Sequence, residues 1–345
     1  MTLHHPLARR IAAFIQNPPA DAEETFNELA LALYAHQYSK SPWVRRLADA
    51  THRAPTHVHR WQDVPAMPAA AFKDMALSCT TPGRAAAVFH SSGTTGAQTS
   101  RHYMSRDALA LYETSLRAGF AQAVPHHPSP LWALMPSPAD APHSSLSYML
   151  GALGASEFWW DNNPALSDAL TKLTAPVTLF GTAFALLGLL ESTGREWALP
   201  PGSILIETGG FKGHTQSISR EDFYAALAGR LSIPIPSITS EYGMSEMASQ
   251  FYSHGEQTTK QAPHWVRTEA IDPATGLPAP ANQPGALRHY DLANFNSAAC
   301  LQTSDWGTLT PTGFVLHGRA PGADLRGCSL SAEDLWTRSQ TTRDA

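Results

Sequence analysis

The chain has 345 residues, 43% of them hydrophobic and only 15% charged, a balance that allows a sizeable buried core and excludes disordered and collagen-like compositions. Its 24 Lys and Arg against 29 Asp and Glu give a formal net charge of −5, and with no long block of either sign the chain lacks the charge footprint expected for nucleic-acid binding. The longest apolar stretch, near residues 182–190, is well short of the roughly 18 residues that suggest a membrane span. Met1-Thr2-Leu3-His4-His5 does not open a secretory signal, and Cys79, Cys300 and Cys328 are too scattered for a disulfide framework or a Cys-rich zinc site. The expected location is a reducing cytoplasm.

Residues 21–38 have a helical period, with Phe26, Leu29, Leu33 and Tyr34 on one face and carboxylates near the start, which predicts an amphipathic core helix within a helical N-terminal segment over residues 1–60. Next, Pro65 and Pro68 force extended backbone before Ala69-Ala70-Ala71-Phe72-Lys73 can turn helical, a connector into a main domain over residues 61–320. Apolar runs of strand length follow at 86–90, 131–135, 177–180, 204–207 and 237–239. Between them lie segments of helical spacing at 106–121, 183–192 and 220–231. The alternation predicts a layered α/β fold. Beyond residue 262, Asp272-Pro273-Ala274-Thr275-Gly276 and Gln283-Pro284-Gly285 separate short runs at 286–290 and 314–317, which predicts a small β-rich section. Residues 321–345 form a short C-terminal tail.

Three segments can carry chemistry. Ser91-Ser92-Gly93-Thr94-Thr95-Gly96 follows a strand-like run and combines four hydroxyls with two glycines, so backbone N–H groups can approach an anion closely and hydroxyls can add donors. No Walker A pattern occurs in the chain. Glu241-Tyr242-Gly243-Met244-Ser245-Glu246 stands at a strand end, where open α/β sheets bind ligands. It lacks the last glycine of a G-x-S-x-G elbow, so Ser245 reads as a contact rather than a nucleophile. The third segment is Thr303-Ser304-Asp305-Trp306-Gly307, followed by Leu316-His317-Gly318-Arg319. Taken alone, Asp305 reads as a turn residue capping its own backbone. His57, His59, His126 and His127 have no Cys or carboxylate at zinc-like spacing and read as solvated loop histidines.

In this order the three segments resemble the core motifs of the adenylate-forming enzymes, the superfamily of acyl-CoA synthetases, firefly luciferase and nonribosomal-peptide adenylation domains. Within it, the stretch from Trp61 to Lys73, Gly209-Gly210-Phe211-Lys212-Gly213-His214, Arg288-His289-Tyr290-Asp291-Leu292-Ala293 and Arg326-Gly327-Cys328-Ser329-Leu330 look most like the acyl-protein synthetases, which include the LuxE component of bacterial fatty-acid reductases. The resemblance implies the N-terminal domain of an adenylate-forming enzyme with a small β-rich section. It implies that Ser91, Ser92, Gly93, Thr94, Thr95 and Gly96 hold the β and γ phosphates of ATP, that Tyr242 stacks on adenine between Glu241 and Gly243, and that Gly209 and Gly210 pack against the adenine edge. Ser245 would contact the α phosphate, Glu246 would bind Mg²⁺, and Asp305 would take the ribose hydroxyls with Arg319 nearby. His143 resembles the residue that borders the acyl pocket.

Two departures from the superfamily stand out. The Pro-Lys that usually follows the phosphate loop is replaced by Gln98-Thr99, leaving Arg101 or Lys212 as substitutes for the absent cation. Only 26 residues follow Arg319 in the given chain, fewer than the mobile C-terminal domain with the superfamily's catalytic lysine requires. The shortened layout resembles the acyl-protein synthetases, in which a cysteine near the C-terminus accepts the acyl group, and Cys328 is the matching residue. The expectation is therefore an acid–thiol ligase that uses ATP and Mg²⁺ to form an acyl-adenylate from a carboxylic acid of fatty type, passes the acyl group to Cys328, and delivers it to an acyl reductase partner. The alternatives are a ligase using the thiol of CoA or a carrier protein, and a noncatalytic subunit of a reductase complex.

Overall fold

The computed structural model describes residues 2–91, 99–160, 163–193, 195–209 and 218–319. The chain divides into two compact units: residues 1–118, 244–249 and 261–345 form one, and residues 119–243 and 250–260 the other.

The first unit opens with three helices, α1 (Pro6–Gln16), α2 (Ala22–Lys40) and α3 (Pro42–Ala50). Pro6 and Pro42 occupy first-turn positions, where a missing N–H costs nothing, and the Ser41 hydroxyl caps α3 by accepting from the Val44 N–H. Phe26, Leu29, Leu33 and Tyr34 are all essentially inaccessible, as the periodicity predicts. The proline-rich connector supplies a two-residue strand, β1 (Met67–Pro68), and a one-turn helix, α4 (Ala71–Asp74). Next, β2 (Ala87–His90) and β3 (Arg101–Met104) form an antiparallel pair of their own. Helix α5 (Arg106–Ala123) carries the chain into the second unit.

The second unit contains β4 (Leu131–Leu134), α6 (Ser145–Leu153), β5 (Glu157–Phe158), α7 (Asn163–Thr171), β6 (Thr178–Thr182), α8 (Ala183–Thr193), β7 (Ile204–Thr208), α9 (Arg220–Leu231), β8 (Ile238–Tyr242), β9 (Phe251–His254) and β10 (Thr259–Gln261). The strands lie in the order β10-β9-β8-β7-β6-β4-β5. From β8 to β5 all are parallel, and β9 runs antiparallel to β8. Strands β6, β7 and β8 are buried almost throughout, as expected of parallel strands covered on both faces. Their apolar runs pack with Leu186 and Leu189 of α8, Phe223, Leu227 and Leu231 of α9, and Trp197 in one core.

Back in the first unit, β11 (Val266–Ile271), β12 (Pro284–Asp291), β13 (Cys300–Thr310) and β14 (Gly313–Arg319) form an antiparallel meander, with β1 adding parallel to β13. The β-rich section is therefore present. Asp305, however, lies in the middle of β13 rather than in a tight turn: the polar and glycine content of residues 303–307 is accommodated in a long strand whose ladder shifts between Trp306 and Gly307.

The loop between β12 and β13 is held by the N-terminal helices of its own unit. The buried amide of Gln37 on α2 donates to the Asn294 and Phe295 carbonyls at 2.8 and 3.3 Å and accepts from the Ala299 N–H at 3.0 Å. Replacing it by leucine strands a buried N–H and two carbonyls, so Gln37→Leu should lose about 2–4 kcal/mol of stability, measured by urea denaturation.

Candidate active site

In the first unit the strand pair β2–β3 brings Ser91 and Ser100 together. The Ser91 N–H donates to the Ser100 carbonyl at 3.2 Å, and the Ser91 hydroxyl accepts from the Ser100 N–H at 3.0 Å, closing the base of the hydroxyl-rich loop. Ser92, Gly93, Thr94, Thr95 and Gly96 lie outside the described residues, as do Gly210, Lys212 and Cys328.

Ser245 and Glu246 meet this base. The Ser245 hydroxyl donates to the His90 carbonyl at 3.3 Å, and the buried Ser100 hydroxyl makes a short hydrogen bond to Glu246 Oε1. Burial holds the Glu246 carboxyl above its ordinary pKa and nearby Asp305 adds to that, while the Ser100 bond and the positive charge of Lys73 work against it. Asp305 is itself buried and stands opposite Arg319 in the register of the β13–β14 ladder.

The backbone of the Ser245–Glu246 segment is fixed by groups the sequence reading did not assign. His102 Nδ1 is 2.8 Å from the Ser245 carbonyl, an acceptor only, so this nitrogen carries the proton; its Nε2 lies 3.0 Å from the Ser297 hydroxyl. Burial pushes the His102 pKa down to about 4, leaving the ring neutral. The Asn294 amide donates to the Glu246 and Ala298 carbonyls at 2.8 and 3.0 Å. The Asp291 carboxylate accepts from the Ala248 and Ala293 N–H groups, each at 2.9 Å, and from the Ser249 hydroxyl at 2.7 Å. Even with these donors, burial raises Asp291 to about 6.

The second unit holds the remaining described candidates. Gly209, just past β7, has φ +86, a left-handed conformation that a side chain would strain. The Thr208 hydroxyl makes a short hydrogen bond to Glu241 Oε2 on the neighbouring strand, in register with it. The Glu241 carboxylate folds back over Gly243, where an added Cβ would lie 2.7 Å from Oε1, so this position excludes any larger residue unless Glu241 moves. Tyr242 is buried, its ring 5.7 Å from that of Phe251. Beside them sits an ionic cluster: Lys260 Nζ donates to the Ser240 carbonyl at 2.9 Å and to its hydroxyl, and the Tyr224 hydroxyl donates to Glu207 at 3.0 Å. Burial lowers Lys260 to about 8 while Glu207 and Glu241 pull it back up. Burial raises Glu241 to about 7, opposed by the Thr208 bond and Lys260 and reinforced by Glu207.

His143 is exposed, one residue before the Ser144 cap of α6. His57, His59, His126 and His127 are exposed as well. Burial pushes the thiols of Cys79 and Cys300 up to about 12, so neither forms a thiolate near neutral pH. Among the described residues no three His, Cys, Asp or Glu side chains gather into a metal cage. A buried carboxylate, Glu246 with Asp305 in electrostatic reach, is the hard oxygen donor chemistry that a magnesium ion would take.

No protein-family model matches the chain, and no curated protein matches it in sequence. Its fold does have solved counterparts. It superimposes on a 2-hydroxyisobutyryl-CoA ligase in complex with 2-HIB-AMP and CoA with a TM-score of 0.65 at 14% identity, covering 88% of this chain and 74% of that one. The luciferase-like enzyme of the mealworm Zophobas morio gives 0.52 at 16% identity over 70% and 59% of the two chains. ATP-bound MatB from Rhodopseudomonas palustris gives 0.50 at 16% identity over 78% and 56%. The chain has the adenylate-forming fold. It thus spans between just over half and three quarters of the length of these three adenylate-forming structures. Within the first unit of this fold, Ser91, Ser245, Glu246, Asp305 and Arg319 stand where strand ends and a hairpin bring them together; Gly209, Glu241, Tyr242 and Gly243 do so in the second.

The titration of Glu241 has a measurable sign. The unfolded carboxyl titrates near 4.5 and the folded one near 7, so between these values the folded state keeps a proton that the unfolded chain has released, and stability falls as pH rises through the window. Glu241 alone contributes a loss on the order of 3 kcal/mol. Urea denaturation at intervals from pH 4.5 to 7.5 should show Glu241→Gln with a distinctly flatter decline than the wild type; parallel curves would mean that Glu241 is ionised throughout.

Proposed function

We propose that the protein is an ATP-dependent acyl-protein synthetase of the LuxE-like kind, which activates a fatty carboxylic acid as an acyl-adenylate, transfers the acyl group to its own Cys328 and passes it to an acyl reductase. The observation that carries this reading is the meeting of Ser245 and Glu246 with the Ser91–Ser100 loop base, beside buried Asp305, in a chain of adenylate-forming fold.

On this reading, Ser91 to Gly96 receive the β and γ phosphates, Ser245 orients the α phosphate, and Asp305 accepts from the ribose hydroxyls with Arg319 at its side. Tyr242 stacks on adenine with Gly209 and Gly210 at the adenine edge, Lys212 is a candidate for the absent loop cation, and His143 borders the acyl pocket. Glu246 would hold magnesium together with the phosphates, and the ion supplies neutralisation of their charge. The chain's own work is positioning: the acid's carboxylate oxygen attacks the α phosphorus, a new P–O bond forms, the bond to the bridging oxygen breaks, and pyrophosphate leaves. In the second half-reaction the Cys328 thiolate attacks the acyl carbon and AMP departs with the electron pair of the broken C–O bond. The half-buried Cys79 and buried Cys300 thiols, both raised to about 12, are unsuited to that role, which supports Cys328 as the carrier.

Two measurements test the proposal. Pyrophosphate release with ATP and Mg²⁺ across fatty and aryl acids should be acid-dependent, and Glu246→Ala should abolish it, by about a hundredfold or more, in a protein that still unfolds cooperatively. Intact-mass analysis should then find one thioester adduct that disappears in Cys328→Ala while acyl-AMP still forms. Release without an adduct moves the acceptor to an external thiol such as CoA, and absence of release with every acid, with or without a reductase, contradicts the enzyme.

A further inference from the structure

The phosphate loop lacks its usual lysine, yet a polyphosphate entering beside the buried carboxyls of Glu246 and Asp305 adds negative charge to negative charge. Magnesium at Glu246 would neutralise part of that charge, and we propose that Lys73 supplies a further cation, as the residue whose ammonium meets the polyphosphate of the bound nucleotide. This inference rests on the nucleotide site assigned above and deepens it.

Three observations place Lys73 there, all within the first unit. First, β1 lies parallel to β13, with Met67 opposite Leu301 and Pro68 opposite Gln302, and the Ala69 N–H donates to the Gln302 carbonyl at 2.9 Å. The turn into α4 is therefore stitched to β13 just ahead of Asp305. Second, Phe72 is fully buried, its ring edge-on to that of His102 at 5.6 Å, and His102 holds the Ser245 carbonyl. The anchor of α4 thus bears on the ring that fixes the Ser245–Glu246 backbone. Third, Lys73 follows this anchor with an exposed side chain, and its charge reaches the Glu246 carboxyl. A rigid backbone with a flexible four-carbon stem and a point charge is a common form of phosphate-binding lysine.

For the two arginines of the region the structure gives a place in a strand ladder. Arg101 pairs with His90 inside the β2–β3 ladder, and Arg319 stands opposite Asp305 on the ribose side of the assignment. Among the described residues, Lys73 is the cation whose charge acts on the Glu246 carboxyl. Its charge would strengthen ATP and pyrophosphate binding and steady pyrophosphate as it leaves, while adding little to adenosine or AMP, which lack the outer phosphates.

Calorimetric titration of the full chain with MgATP, magnesium pyrophosphate and AMP separates these contributions. Lys73→Met should weaken ATP and pyrophosphate about tenfold or more, the usual worth of one charge-assisted contact, with AMP affinity changed less than about twofold. Lys73→Arg should recover most of the loss, and Lys40→Met, a surface change on α2, should leave all three affinities as they are. Unchanged ATP affinity in Lys73→Met, or an equal loss for ATP and AMP, overturns the role of Lys73 and leaves the nucleotide site standing. Failure of the wild type to bind either nucleotide overturns the site itself.

Discussion

The five residues from Ser245 to Ser249 lie in a net of buried hydrogen bonds that leaves their backbone little freedom. His102 takes the Ser245 carbonyl, Asn294 takes that of Glu246, and the Asp291 carboxylate collects the Ala248 N–H and the Ser249 hydroxyl. The Trp265 indole adds a bond to Ser249, shared with Ser115. A buried polar network is costly when half satisfied and rigid when complete. Here it fixes the backbone that carries Glu246, whose carboxylate is held in turn by the Ser100 hydroxyl. The N-terminal helices belong to the same device, since Gln37 holds the loop that presents Asn294.

The second unit uses charge differently. Glu207, Glu241 and Lys260 are all nearly inaccessible, and each is tolerated because hydroxyls and opposite charges around it replace water. Thr208 and Ser240 lie on the same two strand ends that carry Gly209 and Tyr242. The cluster thereby ties the carboxyl ends of β7 and β8 together, where parallel sheets receive their ligands.

Strands β6, β7 and β8 and helix α9 were readable in the sequence because parallel strands buried on both faces leave unbroken apolar runs, and α9 repeats Phe223, Leu227 and Leu231 at helical spacing. Strand β3 was not: it contains Arg101 and His102, and the latter is buried for its hydrogen bonds rather than its hydrophobicity. The same cause hid the centre of β13, where Thr303 and Asp305 point inward among polar partners and Gly307 mimics a turn signal. Motif spacing brought Ser245, Glu246, Asp305 and Arg319 into view and the stretch from Trp61 contained Lys73 without a role for it, but His102, Asn294 and Lys260 come from distant segments with no local signature. Their roles arise from the sheet ladders and the β12–β13 loop, which only folding assembles.

The central claim is that the rigid Ser245–Glu246 segment and Asp305 form the nucleotide site of an acyl-adenylate-forming enzyme. The most direct measurement is a crystal structure of the full chain with a non-hydrolysable acyl-sulfamoyl-adenosine. The account predicts ribose hydroxyls on the Asp305 carboxylate and the sulfamoyl group at Ser245, with the backbone of residues 245–249 unmoved. An analogue bound elsewhere, with Asp305 and Ser245 untouched, would contradict it.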